Sequence, residues 1–394
     1  MNPRRAKPVG FTLLALALAA CRSHDFPQYP PNYREYAYVT NSGSGTVTVL
    51  DVVNVRIDRE LAVGLNPVAI AASPTRNEVY VVNSAATSGA GSMPQGSVSV
   101  IDAETNTVAA TIPVRRQPVS IDIDPGGDLA YVSNSGSNSI SVLDLGNRRE
   151  IAVIGAGEEP VAARISPDGK TLVVANRSGN SATVIDPGAR RVRQVFEDCP
   201  GASDAVILPD SSKAFVACSA GHQVMAIALS RPQANTSPNR PTPPDRLETF
   251  MDVGRGPVHL ALKPDGGELF ALNSLSNSIS EVSTPTNDVS GAYLMGDDPV
   301  RGLVSSDNSI IYVANFHSRY VTPYAIDDGR RLESIQVGDG PSALAFSASG
   351  HLLFAVDSRS SDIAVLRTAS RSLFTLLPTG RNPCAIAVKA LKLP

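Results

Sequence analysis

Three residues could act together on a small ligand: Asp204, His259 and Arg301. They hold one position in three consecutive copies of a repeated segment, where the other copies have small residues: Ala69, Ser120, Ala162, Ala343 and Ala385. Arginine binds carboxylates and phosphates through paired hydrogen bonds, and histidine can change its charge near neutral pH. The pattern predicts an anion site on Arg301 and His259, oriented by Asp204. The alternative is a solvated channel filled by ion pairs and water.

Asp122 and Arg164 share the next equivalent position in two adjacent copies, and we expect them to form an ion pair in the channel. No nucleophile accompanies these charged residues. The chain also lacks the His-Glu-x-x-His, Cys-x-x-Cys and Gly-x-Ser-x-Gly patterns of metal sites and serine hydrolases. We therefore expect no catalytic residue, no metal site and no cofactor.

The repeat that positions these side chains is marked by the segment Tyr38–Ser42. The fourth residue of its copies falls at 41, 83, 134, 176, 218, 273, 315 and 357. A fixed period of about 40 residues indicates a repeat architecture. Within one copy, at 67–114, four runs of alternating apolar and polar residues are bounded by turn residues, and such runs predict antiparallel strands.

Four strands per period predict one blade of a β-propeller. The eight copies predict an all-β fold of eight four-stranded blades, with seven blades as the alternative. The chain begins with a second strand at Tyr36 and ends with a first, innermost strand at 383–388. We expect this C-terminal strand to complete the first blade and close the ring.

Three motifs resemble the YVTN β-propeller repeat family of secreted and surface proteins. They are Tyr-Val-Thr-Asn at 38–41, Gly-x-x-Pro before the innermost strands, and Val-x-Asp at the end of the third strands. The resemblance covers residues 36–388 and implies the fold rather than an activity, because propellers host many functions. Cys218 and Asp357 stand where the family has Asn.

The first 20 residues have the pattern of a secretory signal. Arg4, Arg5 and Lys7 precede an apolar run at 11–20 that is too short to span a membrane. The run ends in Leu18–Cys21, which resembles a bacterial lipobox and implies cleavage before Cys21 and acylation of its thiol. The alternative is an ordinary signal peptide with an incidental cysteine.

The expected organisation is a lipoprotein signal peptide at 1–20, a tether at 21–35 and a propeller at 36–394. It places the protein in the bacterial cell envelope, on the periplasmic or cell-surface side. Loss of three basic residues with the signal changes the net charge from −3 to about −6, which argues against nucleic-acid binding.

One face of the expected ring carries the turns between second and third strands and the connections between blades; we call it the top face. Variable loops on a fixed ring favour partner binding, and the candidates are Arg177, His222, His317 and Arg319. An ordinary solvated surface is the alternative. Cys199 and Cys218 fall at the top of one blade, and an oxidising compartment favours a disulfide between them.

These patterns favour an envelope-anchored, non-catalytic monomer that binds an envelope protein or an anionic small ligand. A propeller enzyme is the rival: a lactonase-like one would use Asp204 and His259, and a haem protein would need His259, His222 or His317 as axial ligand. Single-stranded nucleic-acid binding is a third alternative, disfavoured because few aromatic residues are present for stacking.

Overall fold

A computed structural model describes residues 29–85, 95–230 and 244–391 of the chain. The expected signal peptide, Cys21 and most of the tether lie outside these residues. Within the described ranges, no helix is long and apolar enough to cross a membrane. Nearly all of the regular structure there is antiparallel β-sheet.

The described strands form eight antiparallel sheets, which we number as blades 1–8 in chain order. One strand of each sheet contacts the corresponding strands of both neighbouring sheets, so that these inner strands make a closed ring. The protein is therefore an eight-bladed β-propeller, as predicted, and the seven-bladed alternative is wrong. From blade 1 to blade 8 the inner strands are β33 (Pro383–Ala390), β4 (Leu65–Ala72), β8 (Pro118–Ile123), β12 (Pro160–Ile165), β16 (Ala202–Ile207), β20 (Pro257–Leu262), β24 (Pro299–Val304) and β29 (Pro341–Phe346).

Three further strands complete each blade. In the same order, the second strands are β1 (Glu35–Asn41), β5 (Glu78–Ala85), β9 (Leu129–Asn134), β13 (Leu172–Asn176), β17 (Lys213–Cys218), β21 (Glu268–Asn273), β25 (Ile310–Asn315) and β30 (Leu352–Asp357). The third strands are β2 (Thr46–Asp51), β6 (Ser97–Asp102), β10 (Ser139–Asp144), β14 (Ser181–Asp186), β18 (Gln223–Ala228), β22 (Ser278–Ser283), β26 (Tyr320–Ala325) and β31 (Asp362–Arg367). The outer strands are β3 (Arg56–Ala62), β7 (Thr107–Pro113), β11 (Arg149–Gly155), β15 (Arg191–Phe196), β19 (Arg246–Asp252), β23 (Asp288–Leu294), the pair β27 (Arg330–Arg331) and β28 (Ile335–Gln336), and β32 (Ser372–Pro378). Short 3₁₀ turns at Ser135–Ser137 and Ser274–Ser276 follow β9 and β21.

The C-terminal strand closes the ring, as the sequence predicts. β33 pairs antiparallel with β1, from Glu35 opposite Ala390 to Asn41 opposite Pro383. The first and last segments of the propeller thus share one sheet.

The hydrophobic core lies between adjacent blades rather than within one sheet. Between blades 2 and 3, for example, Tyr80 and Val82 of β5 pack in one cluster with Ile121 of β8 and Val132 of β9. This packing explains the β-branched and aromatic content of the second strands, because both of their faces are covered by neighbouring blades.

A buried Asn at the end of the second strand fixes the top of most blades. Its Nδ2 donates to a hydroxyl on the third residue of the next strand, as in Asn41 to Thr48 (2.9 Å) and Asn176 to Thr183 (2.9 Å). In blade 2 its Oδ1 accepts from the backbone N–H of the glycine that precedes the inner strand, at 3.1 Å between Gly64 and Asn83. The repeated Asn and Gly-x-x-Pro motifs are therefore structural.

Blade 5 replaces this clamp with a disulfide. Cys218 stands at the Asn position and is bonded to Cys199, with 4.8 Å between the two Cα atoms. It is the pair that the sequence analysis expects. Cys384 is free and half-buried.

Blade 8 replaces the Asn with Asp357, which is fully buried. Its Oδ2 accepts from Gly338 N at 2.9 Å, as the Asn oxygen does elsewhere. Its Oδ1 and Oδ1 of the opposing Asp362 are buried without a hydrogen-bond donor. Burial, and then the neighbouring Asp362, raise the pKa of Asp357 to about 9.

Candidate ligand site in the central channel

The inner strands enclose a cavity of about 650 Å³ on the ring axis. Blades 4–7 supply its charged and polar side, with Arg164, Asp204, His259 and Arg301. Blades 8, 1 and 2 supply small and apolar residues on the other side: Ala343, Ala385, Ile386, Ala69 and Ile70. The cavity therefore has one polar corner and one apolar wall.

Asp204 is the hub of the polar corner. Its Oδ1 accepts from Arg164 Nη2 at 3.0 Å, and its Oδ2 accepts from the backbone N–H of Leu260 at 3.2 Å. His259 Nε2 lies 3.7 Å from the same Oδ2. Burial alone would raise the pKa of Asp204, but the charges of Arg164 and Arg301 and the hydrogen bond from Leu260 outweigh burial and hold it below its ordinary value. Asp204 is therefore an ionised carboxylate with both oxygens engaged.

His259 is a neutral side chain in this structure. Its Nδ1 accepts from Gly302 N at 3.4 Å, so the ring proton belongs on Nε2, which faces Asp204. Burial, followed by the positive charge of Arg301, lowers its pKa to about 3, although Asp204 acts in the opposite direction. The expectation that His259 titrates near neutral pH is wrong, because a buried imidazole loses more solvation than one carboxylate returns.

Arg301 supplies the second guanidinium of the corner. The structure gives its half-buried guanidinium no hydrogen bond or ion pair with any described residue. Burial lowers its pKa from the ordinary value and Asp204 raises it, yet an arginine stays charged in a protein. Arg301 is therefore a charged group whose electrostatic neighbour, Asp204, already holds its hydrogen bonds with Arg164 and Leu260.

Asp122 and Arg164 do not form the expected ion pair within 4 Å. The Arg164 side chain is long enough to reach Asp204 on the next blade. Asp122 instead accepts backbone N–H groups from Ile165 at 2.9 Å and Ile123 at 3.1 Å, and burial raises its pKa. Occupying the same repeat position in adjacent blades therefore does not make Asp122 the ion-pair partner of Arg164.

Ser120 is a polar residue of the channel that the sequence analysis groups with the small residues and does not identify as a candidate. Its Oγ is buried without a hydrogen-bond partner, and the residue lines the cavity beside the apolar wall. The available signal was its hydroxyl at a position that most other copies fill with Ala.

The four top-face candidates lie in three blades, and each interacts with a nearby blade connection. Arg177 pairs with Glu159 (3.3 Å), His317 with Asp298 (2.9 Å), and Arg319 approaches Asp339 (3.9 Å). His222 Nδ1 lies 3.2 Å from the backbone N–H of Gly256. These pairs give the top face little uncompensated positive charge at the four residues.

The described residues contain no group of three or more His, Cys, Asp or Glu side chains that could hold a metal ion. In the channel, both ring nitrogens of His259 are already in contacts, Nδ1 with Gly302 N and Nε2 with Asp204 Oδ2. The channel thus supplies charge and hydrogen bonds rather than metal ligands.

Acidification is expected to destabilise the protein through His259. The unfolded imidazole takes up a proton as the pH falls through 6.5, whereas the folded one remains neutral down to a pKa of about 3. The unfolded state therefore binds more protons between these values, and the free energy of unfolding falls with pH. Between pH 6.5 and 5, His259 should lower the free energy of unfolding by roughly 1–2 kcal/mol.

Urea unfolding of wild type and His259→Gln at pH 7 and pH 5 measures this effect. The variant should lose less stability on acidification than the wild type. Arg381→Gln, which alters an exposed side chain on the top face that does not titrate in this range, is the control and should behave like the wild type. Equal losses in wild type and His259→Gln would contradict a neutral, buried His259.

The comparisons with known proteins agree on the propeller architecture. A family model described as "Lactonase, 7-bladed beta-propeller" matches residues 98–201, about a quarter of the chain. The uncharacterized protein YncE of Salmonella typhi and that of Salmonella typhimurium are each 35% identical to this chain over 97 residues. The match spans 25% of this chain and only 25% of the relatives' length.

Three solved structures share the fold at low sequence identity. Hydrazine synthase of Kuenenia stuttgartiensis is 21% identical with a TM-score of 0.56, over 84% of this chain and 92% of its own. A functionally unknown protein of Desulfotomaculum acetoxidans is 14% identical with a TM-score of 0.58, over 90% and 98%. A proposed 6-phosphogluconolactonase of Bacteroides uniformis is 15% identical with a TM-score of 0.60, over 90% and 99%.

Proposed function

We propose that the protein is a non-catalytic, envelope-anchored propeller of the YVTN type that binds a small organic anion in its central channel. The observation that carries the proposal is Arg301, a charged guanidinium in the channel without a hydrogen-bond or ion-pair partner among the described residues. The proposal keeps the signal peptide at 1–20, acylation of Cys21 and the tether at 21–35.

Charge and shape both favour an organic anion. A half-buried cation without a partner is costly, and a carboxylate or phosphate would supply the missing hydrogen bonds in a bidentate geometry. Asp204 does not provide them, because its oxygens are engaged by Arg164 and Leu260. The apolar wall opposite the charged corner suits the carbon skeleton of the ligand.

A small ligand fits the observations better than a protein partner bound at the top face. Arg177, His317 and Arg319 already face carboxylates of their own chain. A protein partner would have to replace these contacts, whereas an anion in the channel gains a cation that has none.

A thermal-shift screen of mono- and dicarboxylates and phosphate esters tests the proposal. At a ligand concentration of about 100 times the dissociation constant, binding adds roughly 2.7 kcal/mol to stability and should raise the melting temperature by several degrees. Arg301→Ala should abolish the shift without unfolding the protein, since it removes an unpaired buried charge.

Arg381→Ala is the control, because it removes an exposed arginine of the top face and should leave the shift intact. The proposal fails if no anion stabilises the wild type. It also fails if Arg301→Ala binds as well as the wild type.

Lactonase-like hydrolysis is the second candidate. The match of residues 98–201 to the lactonase family favours it, and Asp204 and His259 are the acid–base groups of the cavity. Against it, the Nδ1 lone pair of His259 accepts from Gly302 and its Nε2 faces Asp204, which leaves no free base. Acid release from a panel of lactones, lost in His259→Gln, would favour the enzyme.

A further inference from the structure

A second cavity, of about 460 Å³, lies between blades 7 and 8. It is lined by the turns from inner to second strand at 305–309 and 347–351, which lie at the end of the ring opposite the top face. It shares no lining residue with the channel cavity. Its volume is within the range of about 300–1,000 Å³ that small-molecule sites occupy.

Half of the residues that line this cavity carry a hydroxyl group. No Lys or Arg lines it, and its carboxylate is Asp307. Burial lowers the pKa of His351, so this imidazole is neutral at physiological pH. The hydroxyl-bearing residues are Ser305, Ser306, Ser309, Tyr312, Ser347, Ser349 and Thr368.

Tyr312 provides an unsatisfied hydroxyl in a buried side chain. The residue is 2% exposed and its ring stacks edge-on against Phe346, with 5.7 Å between centroids. Its hydroxyl has no hydrogen-bond partner among the described residues. At the same strand position, Tyr38 donates to Asn106 at 2.6 Å. The hydroxyl is not one of the fully buried polar atoms without a partner, so it opens to the cavity, where a ligand can supply its hydrogen bond.

The walls are held in place before any ligand arrives. Ala348 N donates to Glu35 Oε1 of blade 1 at 2.6 Å, which ties the 347–351 turn to the neighbouring blade. On the other side, Thr368 Oγ1 donates to Gly350 O at 2.9 Å. In the 305–309 turn, Asp307 Oδ1 accepts from Ser309 Oγ at 2.8 Å. A preformed wall lowers the entropic cost of binding.

We propose that this cavity binds a neutral sugar. The hydroxyl protons of Ser309 and Thr368 are donated within the wall, so their oxygens offer acceptors to a ligand, whereas the Tyr312 hydroxyl can also donate. A ligand whose own groups both donate and accept matches this set. A saccharide combines such hydroxyls with apolar C–H faces, which the ring of Phe346 and the side chain of Ile310 can cover. The lack of a cation in the lining disfavours an anion and separates this site from the channel.

The test is titration of the purified protein with glucose, galactose, N-acetylglucosamine, maltose and cellobiose, followed by saturation-transfer NMR. At least one sugar should bind saturably. Tyr312→Phe removes one hydrogen bond and should weaken binding about 5- to 10-fold. Ser349→Ala, at an exposed residue of the rim, should weaken it several-fold and is the second variant if Tyr312→Phe folds poorly.

Two controls locate the binding. Tyr131→Phe changes the same strand position in blade 3, where the tyrosine does not line the cavity, and should bind like the wild type. Arg301→Ala should also leave sugar binding unchanged. Absence of saturable binding by every sugar overturns the proposal, and so does equal affinity in the wild type and in both cavity variants.

Discussion

Deletion of residues 381–394 is expected to leave no soluble folded protein. The deletion removes β33, which is the inner strand of blade 1 and contacts the inner strands of blades 2 and 8. Along β1 it would leave unpaired backbone groups from Glu35 to Asn41, and an unpaired edge of this kind invites aggregation. It also removes Lys389, whose buried Nζ donates to Ser73 O at 2.7 Å. Expression and melting of the truncated protein measure the outcome.

A circular permutant tests whether folding needs the pairing of β33 with β1 or its position at the end of the chain. Leu391 N donates to Arg34 O at 2.9 Å, so the ends of β33 and β1 are adjacent and a short linker can join them. A chain that begins at residue 64 and ends at residue 63 would then have every blade in one continuous order. It should fold with near-native stability. A truncated protein that melts like the wild type would contradict the closure.

The sequence predicted the fold because the repeat determines it at every level. The period sets the blade, the alternation of side chains sets the faces of each strand, and the terminal half-repeats require the first and last strands to share a sheet. The positions of Asp204, His259 and Arg301 on successive inner strands followed from the same alignment.

The contacts within the site could not be predicted in this way. An alignment places Cα atoms, whereas Arg164 bonds to Asp204 through a side chain long enough to cross to the next blade. The charge of His259 depends on burial and on the backbone N–H of Gly302, and the repeat pattern predicts neither of them. The contacts of long side chains and the charge of titratable ones therefore could not be predicted from the sequence.

Asp357 shows the same limit in the scaffold. The sequence marks it as a departure from Asn, but it does not reveal what replaces the amide N–H. In blade 8 the third residue of β31 is Ala364, which has no hydroxyl, and the residue opposite Asp357 is Asp362. A protonated Asp357 has the shape and hydrogen-bonding pattern of Asn, with Oδ2 accepting from Gly338 and Oδ1–H donating to Asp362.

Asp357→Asn is therefore expected to stabilise the protein at neutral pH. The folded pKa of Asp357 is about 9, above the ordinary value of 3.8. Below pH 3.8 Asp357 is protonated in both the folded and the unfolded state, so it does not reduce the free energy of unfolding. Above pH 3.8 the unfolded chain releases the proton and the folded protein retains it. Stability therefore falls as pH rises. Asparagine makes the same contacts without a titrating proton. The gain should be roughly 2–4 kcal/mol at pH 7 and should vanish near pH 4.

Urea unfolding at pH 4, 7 and 8.5 in the presence of EDTA measures this gain and prevents a divalent cation from holding the two carboxylates together. Asp362→Ser introduces the residue found at the equivalent position of blades 2, 3, 4 and 6 and should also stabilise at pH 7, because it removes the like charge that faces Asp357. The two substitutions relieve one interaction, so their combined gain should be less than the sum. Asp357→Asn that destabilises at pH 7, or stabilises equally at every pH, would show that Asp357 is not protonated in the folded protein.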